Sequence, residues 1–322
     1  MTMPNFKTFI KRGKEQIEKH GLSLLFWRYI YKYLILTAEK VYLDPSAATE
    51  VHMQVCRRDW VNGMWTLYSL AKQIQLPFRC VLLHDGWLDS NPMAAKIYKN
   101  KFPGITTYTK KSVKIDGAHI IESSPKIEEM WNSKGEFPTI SKVIDSYVKA
   151  KNDFVIQIDP DILFFDYPKE IIEDHLDDGK VAVWNYVDWR RPDPDDPKGT
   201  YCYSPREVRK LTGLQLPLPF STGLGKVDIK RTDWRLASKV IDNTEIISSN
   251  KWTIDQTIHG LMAAKYGYKK LPTEKYAIRP VDNIKGIVAR HYFGKTRDLM
   301  YVKGLKSLHE RGLTPLSRYR PS

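Results

Sequence analysis

From Val51 onward the chain alternates short apolar runs with stretches whose apolar residues recur every three or four positions. Val51–Cys56 reads as a buried strand opening into the turn Arg57-Arg58-Asp59. Over 63–76, Met64, Leu67, Tyr68, Ala71 and Ile74 fall at helical spacing, and Pro77 closes that helix. Phe78–His84 is a second apolar strand ending in Asp85-Gly86. Residues 89–101 predict a helix with Asp89 or Ser90 as cap and Pro92 in its first turn. After a less regular stretch, Pro138–Ala150 is again helical. The strand Phe154–Ile158 runs directly into Asp159-Pro160-Asp161, and a second apolar run, 162–165, follows at once. A helix over Pro168–Leu176 and a strand over Val181–Val187 come next. Residues 188–213, rich in Pro, Asp and Arg, read as a loop insertion, and long loops in compact domains are often lids or substrate contacts. The pattern resumes with a strand over 220–229, helices over 233–241 and 252–266, and a last strand over Gly286–His291. Short apolar strands alternating with helices imply an α/β fold, with a mostly parallel central sheet covered by helices on both faces.

The ends depart from this pattern. Residues 1–40 hold eight Lys/Arg against three acids, and residues 285–322 hold nine against two, so the ends supply most of the formal charge of +14. A basic surface implies a polyanionic partner. Near the N-terminus, a run of about fifteen apolar residues to Leu36 is interrupted by Arg28 and Lys32, too short and too charged to span a bilayer. No small-residue cleavage site follows it. Trp27, Tyr29, Tyr31 and Tyr33 beside basic residues suit a helix lying in an anionic membrane interface, or one packed on the domain with its aromatics inward. The division expected is a basic, aromatic helical extension over 1–48, a catalytic domain over 49–300 and a basic tail over 301–322. Three scattered cysteines, Cys56, Cys80 and Cys202, suggest free thiols, the first two buried, in a reducing compartment. A cytoplasmic protein, peripheral at the inner face of the membrane, is the corresponding expectation.

Candidate chemistry centres on Asp159 and Asp161. In open α/β sheets ligands sit beyond the carboxyl ends of the strands, and both acids stand there. Two carboxylates two residues apart can face one Mn²⁺ or Mg²⁺, which prefer oxygen ligands, and such an ion neutralises a departing diphosphate. The tripeptide repeats at Asp193-Pro194-Asp195, but inside the polar insertion with no apolar neighbours, so a solvated loop explains it.

The stretch 154–161 resembles the Asp-x-Asp strand of GT-A glycosyltransferases. The order of the later motifs is similar to the retaining group typified by glycogenin and bacterial lipopolysaccharide galactosyltransferases, glycosyltransferase family eight. Those motifs are Ser221-Thr222-Gly223, then Asp255-Gln256 opening a helix, then His291-x-x-Gly294-x-x-Arg297. The resemblance covers roughly residues 50 to 300 and implies a GT-A nucleotide-diphospho-sugar transferase fold. It implies further that His291 is the third protein ligand to the metal and that Gly294 lets backbone approach the diphosphate. Arg297 stands where the family has lysine, and Asp298-Leu299 replace its usual Pro-Trp. By the same resemblance Asp255 and Gln256 lie beside the anomeric carbon or acceptor sugar, 221–223 on the acceptor side, and Lys142 around the donor. If the reaction inverts rather than retains, Asp255 becomes a candidate general base. Asp85-Gly86 resembles the acidic turn that meets the nucleoside. Arg57 and Asp59 meet the base or ribose, or pair with each other.

The activity so implied is metal-dependent transfer of a sugar from a nucleotide-diphosphate sugar, UDP-linked by analogy, to a glycan or lipid-linked hydroxyl acceptor. Nucleotidyl transfer is the alternative enzyme class, but it calls for a glycine-rich loop after the first strand, and no glycine occurs there before Gly63. A nucleic-acid-binding role finds no zinc-finger, RNP-type or basic-zipper signature, so no nucleic-acid partner is expected.

Overall fold

The computed structural model describes residues 26–74, 76–84, 86–133, 137–173, 182–185, 201–217, 221–278 and 284–314, together with Glu18, Gly21, Leu22 and Lys180. A seven-stranded sheet runs through the molecule in the order β3-β2-β1-β4-β7-β6-β8. Its strands are β1 (Thr49–Val55), β2 (Phe78–His84), β3 (Thr106–Thr107), β4 (Phe154–Ile158), β6 (Ala182–Asn185), β7 (Ser221–Asp228) and β8 (Lys269–Lys270). Pairing is parallel from β3 through β4 and between β6 and β8, whereas β7 runs antiparallel to both β4 and β6. All seven residues of β2 are buried, as a strand covered on both faces requires.

Helices α1 (Trp60–Gln73), α2 (Pro92–Lys101), α3 (Lys110–Asp116), α4 (Ala118–Ile121), α5 (Pro125–Asn132), α6 (Ile140–Lys149), α7 (Lys169–Ile172), α8 (Pro205–Thr212), α9 (Trp234–Asn243) and α10 (Ile254–Tyr266) surround the sheet. Two apolar clusters result. One joins β1, β2 and β4 to α1, α2 and the C-terminal turns; the other gathers residues of α3, α5, α6, α8, α9 and α10. The mixed α/β expectation, a mostly parallel sheet flanked by helices, describes this architecture.

Several elements differ from the reading of the sequence. The irregular stretch before Pro138 holds three helices. Thr109 caps α3 by accepting the Ser112 N–H at 3.1 Å, and Ser124 caps α5 ahead of Pro125. Each is too short for its periodicity to stand out. Helix α1 starts at Trp60, three residues early, and Asn91 rather than Asp89 or Ser90 caps α2. The insertion drawn over 188–213 is not all loop: Tyr201, Cys202 and Tyr203 are fully buried and α8 follows, begun by Pro205 and ended by Gly213 at a φ of 75°. That left-handed turn is one glycine takes without strain. Residues 186–200, including Asp193 and Asp195, lie outside the described residues. The basic tail drawn from 301 begins as packed helix, since Tyr301, Leu305 and Leu308 are buried in the first cluster. All three cysteines are free; Cys56 is half-buried rather than buried.

A second, three-stranded sheet of β5 (Ile162–Phe164), β10 (Ala289–His291) and β9 (Tyr276–Ala277) matters most for function. Between β4 and β5 stand only Asp159, Pro160 and Asp161, where the chain leaves the large sheet and enters the small one. Antiparallel pairing of β5 with β10 sets His291 opposite Ile162, and the Tyr292 N–H reaches the Asp161 carbonyl at 2.8 Å. Backbone register therefore delivers the imidazole to the Asp-Pro-Asp corner.

Candidate functional site

At that corner Asp159, Asp161 and His291 each offer one ligand atom, all within 4.8 Å of one another. His291 Nε2 lies 3.0 Å from Asp161 Oδ1 and 3.5 Å from Asp159 Oδ2. The Asp159 N–H donates to the Gly223 carbonyl at 2.7 Å, which locks the corner to β7. Gly223 is glycine for a spatial reason: a Cβ there would sit 2.4 Å from His291 Cε1, 2.5 Å from its Nδ1 and 3.1 Å from Asp159 Oδ2.

Cations close the site on two sides. The Lys142 Nζ, on buried α6, donates to Asp159 Oδ1 at 2.8 Å and to the Thr222 carbonyl at 2.6 Å, and lies 3.6 Å from Asp255 Oδ2. The Thr222 hydroxyl donates to the same Asp255 oxygen at 2.7 Å. Opposite, Arg297 donates from Nε to Asp161 Oδ2 at 2.9 Å and from a terminal nitrogen to Asp59 Oδ1 at 3.1 Å. Asp59 also receives Arg58 at 3.2 Å. The pairing partner of Asp59 is thus not Arg57, which is exposed on the turn after β1.

Burial and these partners set the proton affinities. Burial pushes the Asp159 carboxyl above its ordinary value, and Lys142 and His291 only partly offset it. For Asp161, burial pushes the same way, but His291 and Arg297 outweigh it and hold the carboxyl below the usual range. Burial would make His291 a weaker base; the two carboxylates, Asp161 foremost, reverse that and raise it. Lys142 likewise stays charged, because Asp159 and Asp255 outweigh the cost of burying its ammonium.

The donor set fits a hard divalent cation: two carboxylates, and an imidazole whose Nε2 faces both. His291 Nδ1 is buried and has no hydrogen-bond partner among the described residues.

The remaining predicted residues distribute as follows. Asp255 and Gln256 occupy the first turn of α10, both buried, with Asp255 joined to the Asp-Pro-Asp corner through Lys142 and Thr222. Ser221, Thr222 and Gly223 open β7 beside Asp159. Gly294, at a φ of 54°, starts the turn that leads to Arg297, a conformation open to glycine without strain. Asp85 lies outside the described residues. Sequence reasoning missed one neighbour: Asp298, noticed only as a departure from the family pattern, accepts Arg28 at 3.3 Å. Their separation of 270 positions left no local signal of that pair.

No protein-family model matches the chain, and no curated protein sequence matches it either. Solved structures do. The bifunctional glycosyltransferase WbbM, in its apo form, superposes with a TM-score of 0.53 at 12% identity over 86% of this chain; the chain spans about half of that structure, 52%. The galactosyltransferase LgtC, solved with donor and acceptor sugar analogs, gives 0.49 at 13% identity, covering 82% of this chain and 96% of that one. Mouse xyloside xylosyltransferase 1 gives 0.49 at 10%, covering 77% and 97%. The fold of this chain is the GT-A fold of glycosyltransferases, with a group able to hold a metal ion at the C-terminal edge of its sheet.

Proposed function

We propose that the protein is a glycosyltransferase that moves a sugar from a nucleotide-diphosphate sugar, UDP-linked, to a hydroxyl of a glycan or lipid-linked acceptor. One observation carries the reading. Three metal-competent side chains from two strand ends and a distant segment converge within 4.8 Å at the edge where α/β sheets bind ligands, with Arg297 and Lys142 flanking them.

Asp159, Asp161 and His291 would hold Mn²⁺ or Mg²⁺, which when bound supplies positive charge to the diphosphate leaving group. The protein's own groups do the rest. Arg297 is a fixed planar cation with donors to spare for a phosphate, placed by the turn at Gly294. Lys142 holds Asp159 and Asp255 in one orientation and brings positive charge to the donor side. Among the described residues both contacts to Asp255 fall on Oδ2, which leaves Oδ1 for a sugar hydroxyl, with Gln256 beside it as a neutral partner. A carboxylate so held suits orientation of the sugar more than proton abstraction, and therefore retention. Asp59, Arg57 and Asp85 are assigned to the nucleoside side, and Ser221, Thr222 and Gly223 to the acceptor side. Residues 49–300 form the catalytic domain.

Hydrolysis of UDP-sugars in the presence of Mn²⁺, measured on wild type, Asp161→Ala and His291→Ala, tests the assignment. Both variants should lose activity; full activity in both would remove it. A thermal-shift panel of nucleoside diphosphates with and without Mn²⁺ identifies the base, because a ligand that binds only the folded state raises apparent stability.

A further inference from the structure

No helix among the described residues is long and apolar enough to cross a membrane. The N-terminal helical segment nevertheless carries an unusual distribution of side chains. Phe26, Ile30 and Tyr33 recur every three or four residues along the helical stretch 26–34, and Leu22 precedes them at the same spacing in the sequence. Leu22, Phe26, Ile30 and Tyr33 are 73%, 45%, 51% and 46% exposed. Other residues of the segment, charged and apolar, meet the protein. Arg28 pairs with Asp298, and the Lys32 ammonium stands 5.6 Å from the ring centre of Tyr301. The Lys32 carbonyl accepts the Trp65 indole N–H at 3.0 Å, and Ile35 is fully buried. A helix docked on a water-soluble surface alone would turn its apolar side inward. This one buries Ile35 but also leaves large apolar side chains facing outward.

We propose that this outward stripe is a membrane-docking element that lies in the plane of an anionic bilayer. Charge selects the occupant. The sequence flanking the stripe on its N-terminal side carries Lys7, Lys11, Arg12, Lys14 and Lys19, within a segment holding eight Lys/Arg against three acids. A second copy docking on the stripe would bring two such segments together and be repelled, whereas anionic headgroups attract both. Apolar residues entering the headgroup boundary, with lysines and arginines beside them, are the composition of interfacial helices. The inner side is pinned to the protein, so the contact orients the whole molecule. Arg28 meets Asp298, the residue next to Arg297. The docking element therefore sits against the same short segment that carries the candidate phosphate-binding cation. The anchoring does not depend on the catalytic reading, and its test reads membrane binding alone.

Flotation of the full chain with phosphatidylcholine vesicles, with and without phosphatidylglycerol, decides the matter. Wild type should float with the anionic vesicles at low salt and be released at high salt. Phe26→Ser combined with Ile30→Ser should weaken partitioning roughly tenfold or more, because both lose apolar area in the interface. Tyr33→Ser alone should weaken it less, and Phe26→Trp should retain it. Unchanged melting temperatures would establish that the variants fold. The proposal is overturned if wild type fails to float with anionic vesicles, or if the double variant floats as wild type does. It is equally overturned if sedimentation shows a dimer that the double variant dissociates while flotation is unaffected.

Discussion

Replacing Gly223 by alanine adds one methyl group at the most crowded point of the corner. The new Cβ would lie 2.4 Å from His291 Cε1 and 2.5 Å from Nδ1, where unstrained carbon contacts need about 3.5–4.0 Å. The imidazole or the strand must therefore yield by about 1 Å. The strand resists, because the Gly223 carbonyl accepts the Asp159 N–H at 2.7 Å and any shift would drag the Asp159 carboxylate with it. If the ring yields instead, Nε2 leaves its place 3.0 Å from Asp161. Overpacking of this kind costs about 1–3 kcal/mol of stability. Disturbing the support of a metal ligand typically costs about 10–100-fold in metal affinity. Titration calorimetry with Mn²⁺ in the presence of UDP should show that loss. The same substitution made in a His291→Ala background, where the clashing ring is gone and only the 3.1 Å approach to Asp159 Oδ2 remains, should cost much less in melting temperature, the coupling expected of groups in contact. If Gly223→Ala keeps both wild-type Mn²⁺ affinity and wild-type stability, the claim that the glycine makes room for the imidazole is wrong.

Three further outcomes are expected. Removing Arg297 leaves Asp161 and Asp59 without their shared cation, so Arg297→Ala should cost about 1–3 kcal/mol without metal; Mn²⁺ should restore more stability to this variant than to wild type, readable as a larger thermal shift. Lys142→Ala strips the buried partner from Asp159 and Asp255 and should destabilise by about 3–5 kcal/mol in chemical denaturation; adding Asp255→Asn should recover part of that loss. Asp145, 2% exposed on α6, has its carboxyl raised to about 7 by burial, against opposing contributions from the Trp131 indole N–H and from Lys110 and Lys149. The folded state then binds this proton more tightly than the unfolded chain, so stability is lost as pH rises from about 4 through about 7. Asp145→Asn should therefore be near neutral in acid and stabilising above pH 7, by at most about 4 kcal/mol, as denaturation curves at the two pH values would reveal.

The long elements were legible because their signals are local. β2 and β4 are apolar runs bounded by turns, α6 and α10 carry helical periodicity, and Pro77 punctuates backbone geometry wherever it occurs. For the same reason the metal-competent acids could be picked out from position alone, since they follow the strand at the tip where open sheets bind ligands. Short elements escaped. α3, α4 and α5 span too few turns to show a period, and the two-residue strands β3, β8 and β9 owe their existence to neighbours rather than to their own residues.

Composition misjudged 201–213, where a Pro- and Arg-bearing stretch hides Tyr201 and Tyr203 in the core. What sequence could not decide is who touches whom across distance. His291 reaches Asp161 over 130 positions, and only the antiparallel register of β10 on β5 puts it there. Arg297 chooses Asp59 and Asp161, and Asp59 takes Arg58 rather than Arg57, through packing that no spacing encodes. The N-terminal helical segment makes the point most plainly. Its sequence fits either orientation, inward or outward, and only the docking of Arg28 and Lys32 on the C-terminal turns, with the burial of Ile35, settles which residues meet the solvent. Local chemistry is written in neighbours along the chain; the site is written in contacts that exist only after the chain has closed on itself.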